Sequence, residues 1–291
     1  MTIEPRQREL PSALSRRSFL KAVARTAAGA GVVSATGGLY AFWLEPQLIS
    51  VESIEVRLQR LPAAFDGFRL AQLSDLHYDT TPADTITSAI DAANRLDADL
   101  ILLTGDYVSR ARKDIEVVAA EVGRLRSRYG VVGVLGNHDH WVSSGATRAL
   151  LEAAGASILV NQAQAIEREG ARLWLIGVDS MWEKRTDLER ALRGAPIDEA
   201  KMLLVHEPDF ADAAKKHSID FQLSGHTHGG QVRLPFVGAP FLPKYGRKYP
   251  IGLRRAGPLQ VYTSRGVGMV RPAVRFNCRP EVTLVTLRSE A

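Results

Sequence analysis

Cysteine is nearly absent from this chain of 291 residues: Cys278 stands alone. An intramolecular disulfide is therefore excluded, and stability must come from a packed core. Acidic residues are missing from two long stretches. No Asp or Glu occurs between Asp220 and Glu281, whereas Arg233, Lys244, Arg247, Lys248, Arg254, Arg255, Arg265, Arg271, Arg275 and Arg279 all fall there. From Thr26 to Leu44 there is no charged residue of either sign. Internal repeats and low-complexity tracts are also lacking beyond this N-terminal run. The formal net charge is +5, carried by the acid-free C-terminal region.

What is present is a series of short apolar runs, each ending in metal-ligand residues. Phe68 to Leu73 runs into Ser74-Asp75-Leu76-His77. Leu100 to Leu103 leads to Gly105-Asp106, and Val131 to Leu135 to Gly136-Asn137-His138-Asp139-His140. Met202 to Val205 ends at His206, and Phe221 to Leu223 at Gly225-His226-Thr227-His228-Gly229-Gly230-Gln231. Apolar runs of this length with polar C-terminal ends read as buried strands, and further strands are expected at Val51 to Leu58, Ala171 to Val178, Gln231 to Leu234, Leu259 to Tyr262 and Val282 to Leu287. In open α/β sheets the crevice beyond those ends is the usual ligand site. On an extended backbone His226 and His228, two residues apart, would project to the same side. Each block alone is weak: Asp106 could be a turn or helix cap, Asn137 turn chemistry, and His206 a packed histidine. Five in order are a strong signal. His140 and His217 fit no such slot. Trp141 is either cleft lining or packing at a turn.

These blocks resemble the pattern DxH, GD, GNH[DE], H, GHxH of the calcineurin-like metallophosphoesterase superfamily, over roughly Ile54 to Leu287. A late Ser264-Arg265-Gly266-Val267-Gly268 block and GHTHGGQ are similar to its exported or membrane-associated bacterial phosphodiesterases. The resemblance implies an α/β fold, a four-layer α/β/β/α sandwich, and two divalent metal ions. One would be held by Asp75, His77, Asp106 and His228. The other would be held by Asp106, Asn137, His206 and His226, with Asp106 bridging. It implies hydrolysis of a phosphate ester, most readily a diester, by a hydroxide bridging the ions. His138 would act on the leaving oxygen, with Asp139 as a residue orienting it. The mixed nitrogen and oxygen donors suit Mn, Fe, Zn, Co or Ni rather than calcium. Two further readings stand beside this one: a pyrophosphohydrolase acting on a lipid-linked nucleotide sugar of the UDP-diacylglucosamine type in lipid A synthesis, and a non-catalytic binding module of the same fold.

The N-terminus speaks of location. Ser15-Arg16-Arg17-Ser18-Phe19-Leu20-Lys21 matches the twin-arginine export signal at every specified position, and the uncharged run follows. Residues 1–45 are read as a signal or N-terminal anchor and residues 46–291 as the catalytic domain. The run approaches the roughly 20 residues that span a bilayer, and arginines before it favour an inside N-terminus. The expected partners are the export machinery, at the periplasmic or extracytoplasmic membrane face, and an anionic phosphate ester that the fold could take in lipid-linked form. The basic C-terminal stretch would draw that substrate in, through Lys244, Arg247 and Arg254, or would rest on anionic lipid. With no interleaved aromatic platform, nucleic acid is a weak candidate. Pro235 to Pro243 reads as an irregular loop with exposed apolar residues.

Overall fold

The computed structural model describes residues 36–290. The twin-arginine block and most of the uncharged run lie outside the described residues. The chain divides into two compact units, Met1–Tyr40 and Ala41–Ala291. Of the first, residues 36–39 are helical.

Two six-stranded sheets form the second unit. The strands are β1 (Ser50–Leu58), β2 (Arg69–Leu73), β3 (Leu100–Leu103), β4 (Val131–Gly133), β5 (Ala156–Ile158), β6 (Gln162–Arg168), β7 (Ala171–Gly177), β8 (Lys201–Leu204), β9 (Phe221–Ser224), β10 (Gly252–Ala256), β11 (Leu259–Thr263) and β12 (Glu281–Ser289). The first sheet has the order β1-β12-β2-β3-β4-β5 and the second β10-β11-β9-β8-β7-β6. Strands β2 to β5 run parallel, as do β7, β8, β9 and β11. The helices are α1 (Ala83–Arg95), α2 (Asp114–Val122), α3 (Asn137–Val142), α4 (Ser144–Ala153), α5 (Leu188–Ala191) and α6 (Ala211–Ala214).

The four layers follow from side-chain alternation with period two. Along β3, Leu100 and Leu102 point between the sheets, where they meet Leu175, Met202, Leu204 and Phe221. Ile101 and Leu103 point the other way, against Ile86 and Ile90 of α1, Ile115 and Val118 of α2, and Leu151 of α4. In the second sheet Leu203 and Val205 face outward onto Leu188 of α5 and Ala211 and Ala214 of α6. The expected α/β/β/α sandwich is therefore present. Each central strand is buried on both faces, which is why each reads as a continuous apolar run.

Three strands have no counterpart in the sequence reading: β5, β6 and β10, each at the edge of a sheet. A strand expected at Gln231 to Leu234 does not form. Gly229, Gly230 and Gln231 take positive φ of 59°, 86° and 57°, turning the chain, and only isolated pairings join Val232 to Phe276 and Leu234 to Gly238.

The sheets are tied to each other at the ends that matter for the site. The buried Gln72 of β2 donates Nε2 to Thr104 Oγ1 at 2.9 Å and to the Ser224 carbonyl of β9 at 3.0 Å. After β11 the Ser264–Gly268 loop crosses back, with Val267 N–H bonded to Ser74 O at 2.9 Å. Arg275 is fully buried and holds this loop by donating to the carbonyls of Arg265, Gly266 and Gly268 and to that of Cys278.

Candidate metal centre and active site

Parallel strands β2, β3 and β4 lie side by side in one sheet, and β8 and β9 in the other. Their C-terminal ends release Asp75, Asp106, Asn137, His206 and His226 toward one another. The chain reverses sharply there. Asp75, His77, Asp106, His226 and His228 have φ of 53°, 43°, 57°, 72° and 51°. A left-handed backbone at a non-glycine residue costs of the order of 1–3 kcal/mol, and such residues cluster where function over-determines the geometry. His226 and His228 therefore do not share a face by strand alternation, as an extended backbone would require. They sit in consecutive left-handed turns and point to different neighbours. Close approach is also built in: a Cβ on Gly225 would overlap Ser74 Oγ and Asp75 Oδ2, and one on Gly136 would overlap Asp106.

The structure brings six of the seven predicted ligands together in two adjoining groups, and His138 falls within the same reach of His77 and Asp106 in an overlapping third. Asp75, His77 and His228 form one, and Asp106, His206 and His226 the other, each with ligand atoms within 4.8 Å of one another. All six side chains are buried. Asp106 lies between the groups: its Oδ2 is 3.1 Å from His206 Nε2 and 3.5 Å from His77 Nε2. Asn137 opens α3, is buried, and leaves its Oδ1 without a hydrogen-bond partner.

The outer hydrogen bonds decide which atoms face inward. His206 Nδ1 donates to Thr104 O at 2.7 Å, His228 Nδ1 to Gly268 O at 3.2 Å, and His226 Nε2 to Lys244 O at 2.8 Å. A carbonyl only accepts, so each ring carries its proton there, and in the neutral ring the other nitrogen turns a lone pair inward. His77 Nδ1 meets Ser109 Oγ at 2.8 Å, and its Nε2 lies 3.1 Å from His228 Nε2. His206 Nε2 has no partner in hydrogen-bonding geometry. Lone pairs and carboxylate oxygens crowded in a buried space need positive charge among them. Outer carbonyls orienting imidazole ligands are the usual arrangement around a metal, so the donor set fits divalent ions.

The protonation behaviour agrees. Burial, partly offset by Asp106, pushes His77 down to about 3. Burial likewise lowers His228 and His226, helped by His77 in the first case and His206 in the second. These rings stay neutral and keep their lone pairs. Burial disfavours charge on His206 too, but Asp106 and Asp75 outweigh it and hold its pKa well above the ordinary value. Burial raises Asp75 to about 6, with His206 opposing and Asp106 adding to the shift. Without metal, then, the site retains protons on His206 and, in mild acid, on Asp75.

His138 and Asp139 have different surroundings from those expected. Asp139 does not orient His138. Its carboxylate accepts the backbone N–H groups of Asp106, Tyr107 and Gly136 at 2.8–2.9 Å, fastening the loop after β3 to the start of α3. It is buried at 0% exposure and cannot reach a substrate. His138 is oriented instead by Ser109, whose carbonyl lies 3.1 Å from its Nδ1. Its backbone N–H donates to Asp106 Oδ1 at 2.9 Å. Its ring packs 4.8 Å from that of His77 and 4.2 Å from that of Trp141. His140, which fitted no motif slot, binds Asp179 at 2.6 Å.

A cavity of about 440 Å³ opens beside these groups. Asp106, Asn137, His138, His226 and His228 form its floor, and its walls include Trp141, Trp182, Val232, Phe241, Leu242, Val270, Arg271 and Pro272. The side chains expected to bind substrate are elsewhere. Lys244, Arg247 and Arg254 are exposed and do not line the cavity. Lys244 contributes its carbonyl to His226, the backbone N–H of Arg247 binds Asp209 at 3.1 Å, and Arg254 sits on the edge strand β10. The basic stretch is not one face: Arg265 pairs with Glu52 and Glu281, Lys248 with Asp212, and Arg275 is internal. Arg271 is the cation that lines the cavity.

The calcineurin-like phosphoesterase family matches residues 68–230, which contain all seven predicted ligands and His138. The chain belongs to that family. It is a metal-dependent phosphoester hydrolase. It is 34% identical to the uncharacterized metallophosphoesterase YkuE of Bacillus subtilis, over 95% of this chain and 98% of that one. It is also 34% identical to the phosphodiesterase YaeI of Escherichia coli, over 94% of this chain and 99% of that one. Among solved structures, the NAD nucleotidase NadN of Haemophilus influenzae aligns with 69% of this chain and 45% of its own, at 13% identity and TM-score 0.48.

Because protons and metal compete for the same atoms, metal retention should fall as pH drops through about 6, where Asp75 takes up a proton. Raising the pH deprotonates Asp75 and tightens binding. Metal content after equilibrium dialysis across pH 5 to 8 checks this, and a flat profile would contradict it.

Proposed function

We propose that the enzyme is a phosphodiesterase using two divalent transition-metal ions drawn from Mn, Fe, Zn, Co and Ni. Asp75, His77, Asp106 and His228 would hold one, and Asp106, Asn137, His206 and His226 the other. The observation that carries this reading is the convergence of six buried donors in two groups with Asp106 between them, together with the buried Asn137 Oδ1 that has no hydrogen-bond partner. Divalent ions bound there supply Lewis-acid stabilisation of phosphoryl charge and a water acidic enough to attack near neutral pH. The protein does the rest. Thr104, Ser109, Lys244 and Gly268 fix the imidazoles, so little reorganisation accompanies reaction. His138, with Nδ1–H held on Ser109 O, would protonate the leaving oxygen from Nε2 in its imidazolium form and be left as the neutral ring. Arg271 supplies a fixed charge for the ester phosphate, and Trp141 and Trp182 offer flat apolar surface to the leaving group.

The apolar walls of the cavity support a substrate with a hydrophobic ester group. A lipid-linked pyrophosphate, as in a UDP-diacylglucosamine, is the second reading on the same ground. We further propose that the protein leaves the cytoplasm by the twin-arginine route and works at the periplasmic or extracytoplasmic membrane face. The Ser15 to Lys21 block supports this. Among the described residues no helix is long and apolar enough to cross a membrane.

His138→Ala should lower kcat on bis(p-nitrophenyl) phosphate by roughly 10²–10⁴-fold, the span of general acid catalysis, while bound metal is unchanged. Asp106→Asn should lose metal as well as activity. Loss of metal from His138→Ala with unchanged turnover per bound ion would overturn the role given to His138. Changing Arg16 and Arg17 together to Lys should hold the protein inside the cell. Continued export in a cell fractionation would point to another route.

A further inference from the structure

Four of the most exposed large apolar side chains of the described residues lie on segments that meet beside the cavity. Phe236, Val237 and Phe241 are 109%, 70% and 83% exposed, and Trp43 is 70% exposed. They are remote in sequence but joined through one segment. Arg275 N–H binds Ala41 O at 3.0 Å, Phe276 N–H binds Gln231 O at 2.9 Å, and Arg233 N–H binds Phe276 O at 2.9 Å. Glu45 accepts from the backbone of Asn277 and Cys278. The turn carrying Trp43 and the Leu234–Gly238 flap therefore flank the same strip of chain. That strip follows Arg271, Pro272 and Val274, which line the cavity, and Phe241 lines it too.

Solvated aromatic residues of this size seldom cluster without a partner. The charge around them says which partner. The flap and the strip beside it carry no acid, and Glu45, next to the Trp43 turn, is buried on the backbone of Asn277 and Cys278. Arg233, Arg271 and Arg279 make no ion pair with a carboxylate among the described residues. A second copy of the chain would bring these cations against their own kind. An anionic lipid surface complements both features, since aromatic side chains favour the headgroup boundary and free arginines favour its negative potential.

We propose that the flap and the Trp43 turn form a docking surface for an anionic bilayer, setting the cavity mouth at the headgroups so that the enzyme works on phosphodiesters in the membrane. This rests on the phosphodiesterase reading for the reaction but not for the docking. Cys278, the only thiol, is buried, so a thiol-reactive, environment-sensitive dye on Val237→Cys in the full-length chain reports from the flap. Its emission should shift to the blue on phosphatidylglycerol vesicles and not on phosphatidylcholine vesicles. Phe236→Ser with Trp43→Ser should cut hydrolysis of a vesicle-embedded phosphodiester about tenfold, from lost apolar burial, and leave bis(p-nitrophenyl) phosphate hydrolysis unchanged. A dye that stays in water on anionic vesicles, or that responds equally to both vesicles, overturns the proposal. Failure of the unmodified chain to hydrolyse the soluble diester would count against the phosphodiesterase reading instead, with the dye result standing by itself.

Discussion

Two carboxylates and four imidazoles buried against one another are the constraint around which this molecule is organised. Their inward atoms are mostly acceptors, 3.1–3.9 Å apart, and acceptors do not satisfy one another. A proton on His206 relieves one contact. Divalent cations relieve them all. The backbone is held in five left-handed conformations to make this arrangement, at about 1–3 kcal/mol each, less for Asp and His than for bulkier residues. Against a net stability of about 5–15 kcal/mol for a typical domain, that strain persists only because two sheets and three buried clusters surround it.

The remaining architecture can be read as the means of holding that site. Adjacent parallel strands deliver the buried donor side chains at a common edge, and two sheets are needed because the donors come from both. Gln72 fixes the spacing between sheets at the site end. The Arg275 guanidinium does the same for the last loop, whose glycines press on Asp75: a Cβ on Gly266 would come 2.7 Å from Asp75 Cβ. Asp139 belongs to this scaffold, tying two ligand loops together through backbone N–H groups rather than meeting substrate.

Legibility in the sequence follows burial. The central strands announce themselves because both faces are covered, so Leu100 to Leu103 and Met202 to Val205 are unbroken apolar runs. The strands at three sheet edges, β5, β6 and β10, do not: in Gln-Ala-Gln-Ala-Ile-Glu-Arg of β6 only Ile166 is buried, and its partner on one side is absent. Ligand residues stand out as motifs because their side chains are the chemistry. Their supports do not, because the groups on Thr104, Ser109, Lys244 and Gly268 that hold the imidazoles are mostly backbone carbonyls, available on any residue. Charge was legible as composition but not as placement. Ten cations in an acid-free stretch suggest a basic entrance, whereas ion pairs, burial and strand edges disperse them, leaving Arg271 at an otherwise apolar cavity.

The central claim is that the buried donors form two adjoining metal sites sharing Asp106. Anomalous diffraction from crystals loaded with manganese tests it most directly. The account predicts one peak bounded by Asp75, His77 and His228 and a second bounded by Asp106, Asn137, His206 and His226, with the Asp106 carboxylate between them. A single peak, or peaks that leave either group of donors unliganded, would contradict it.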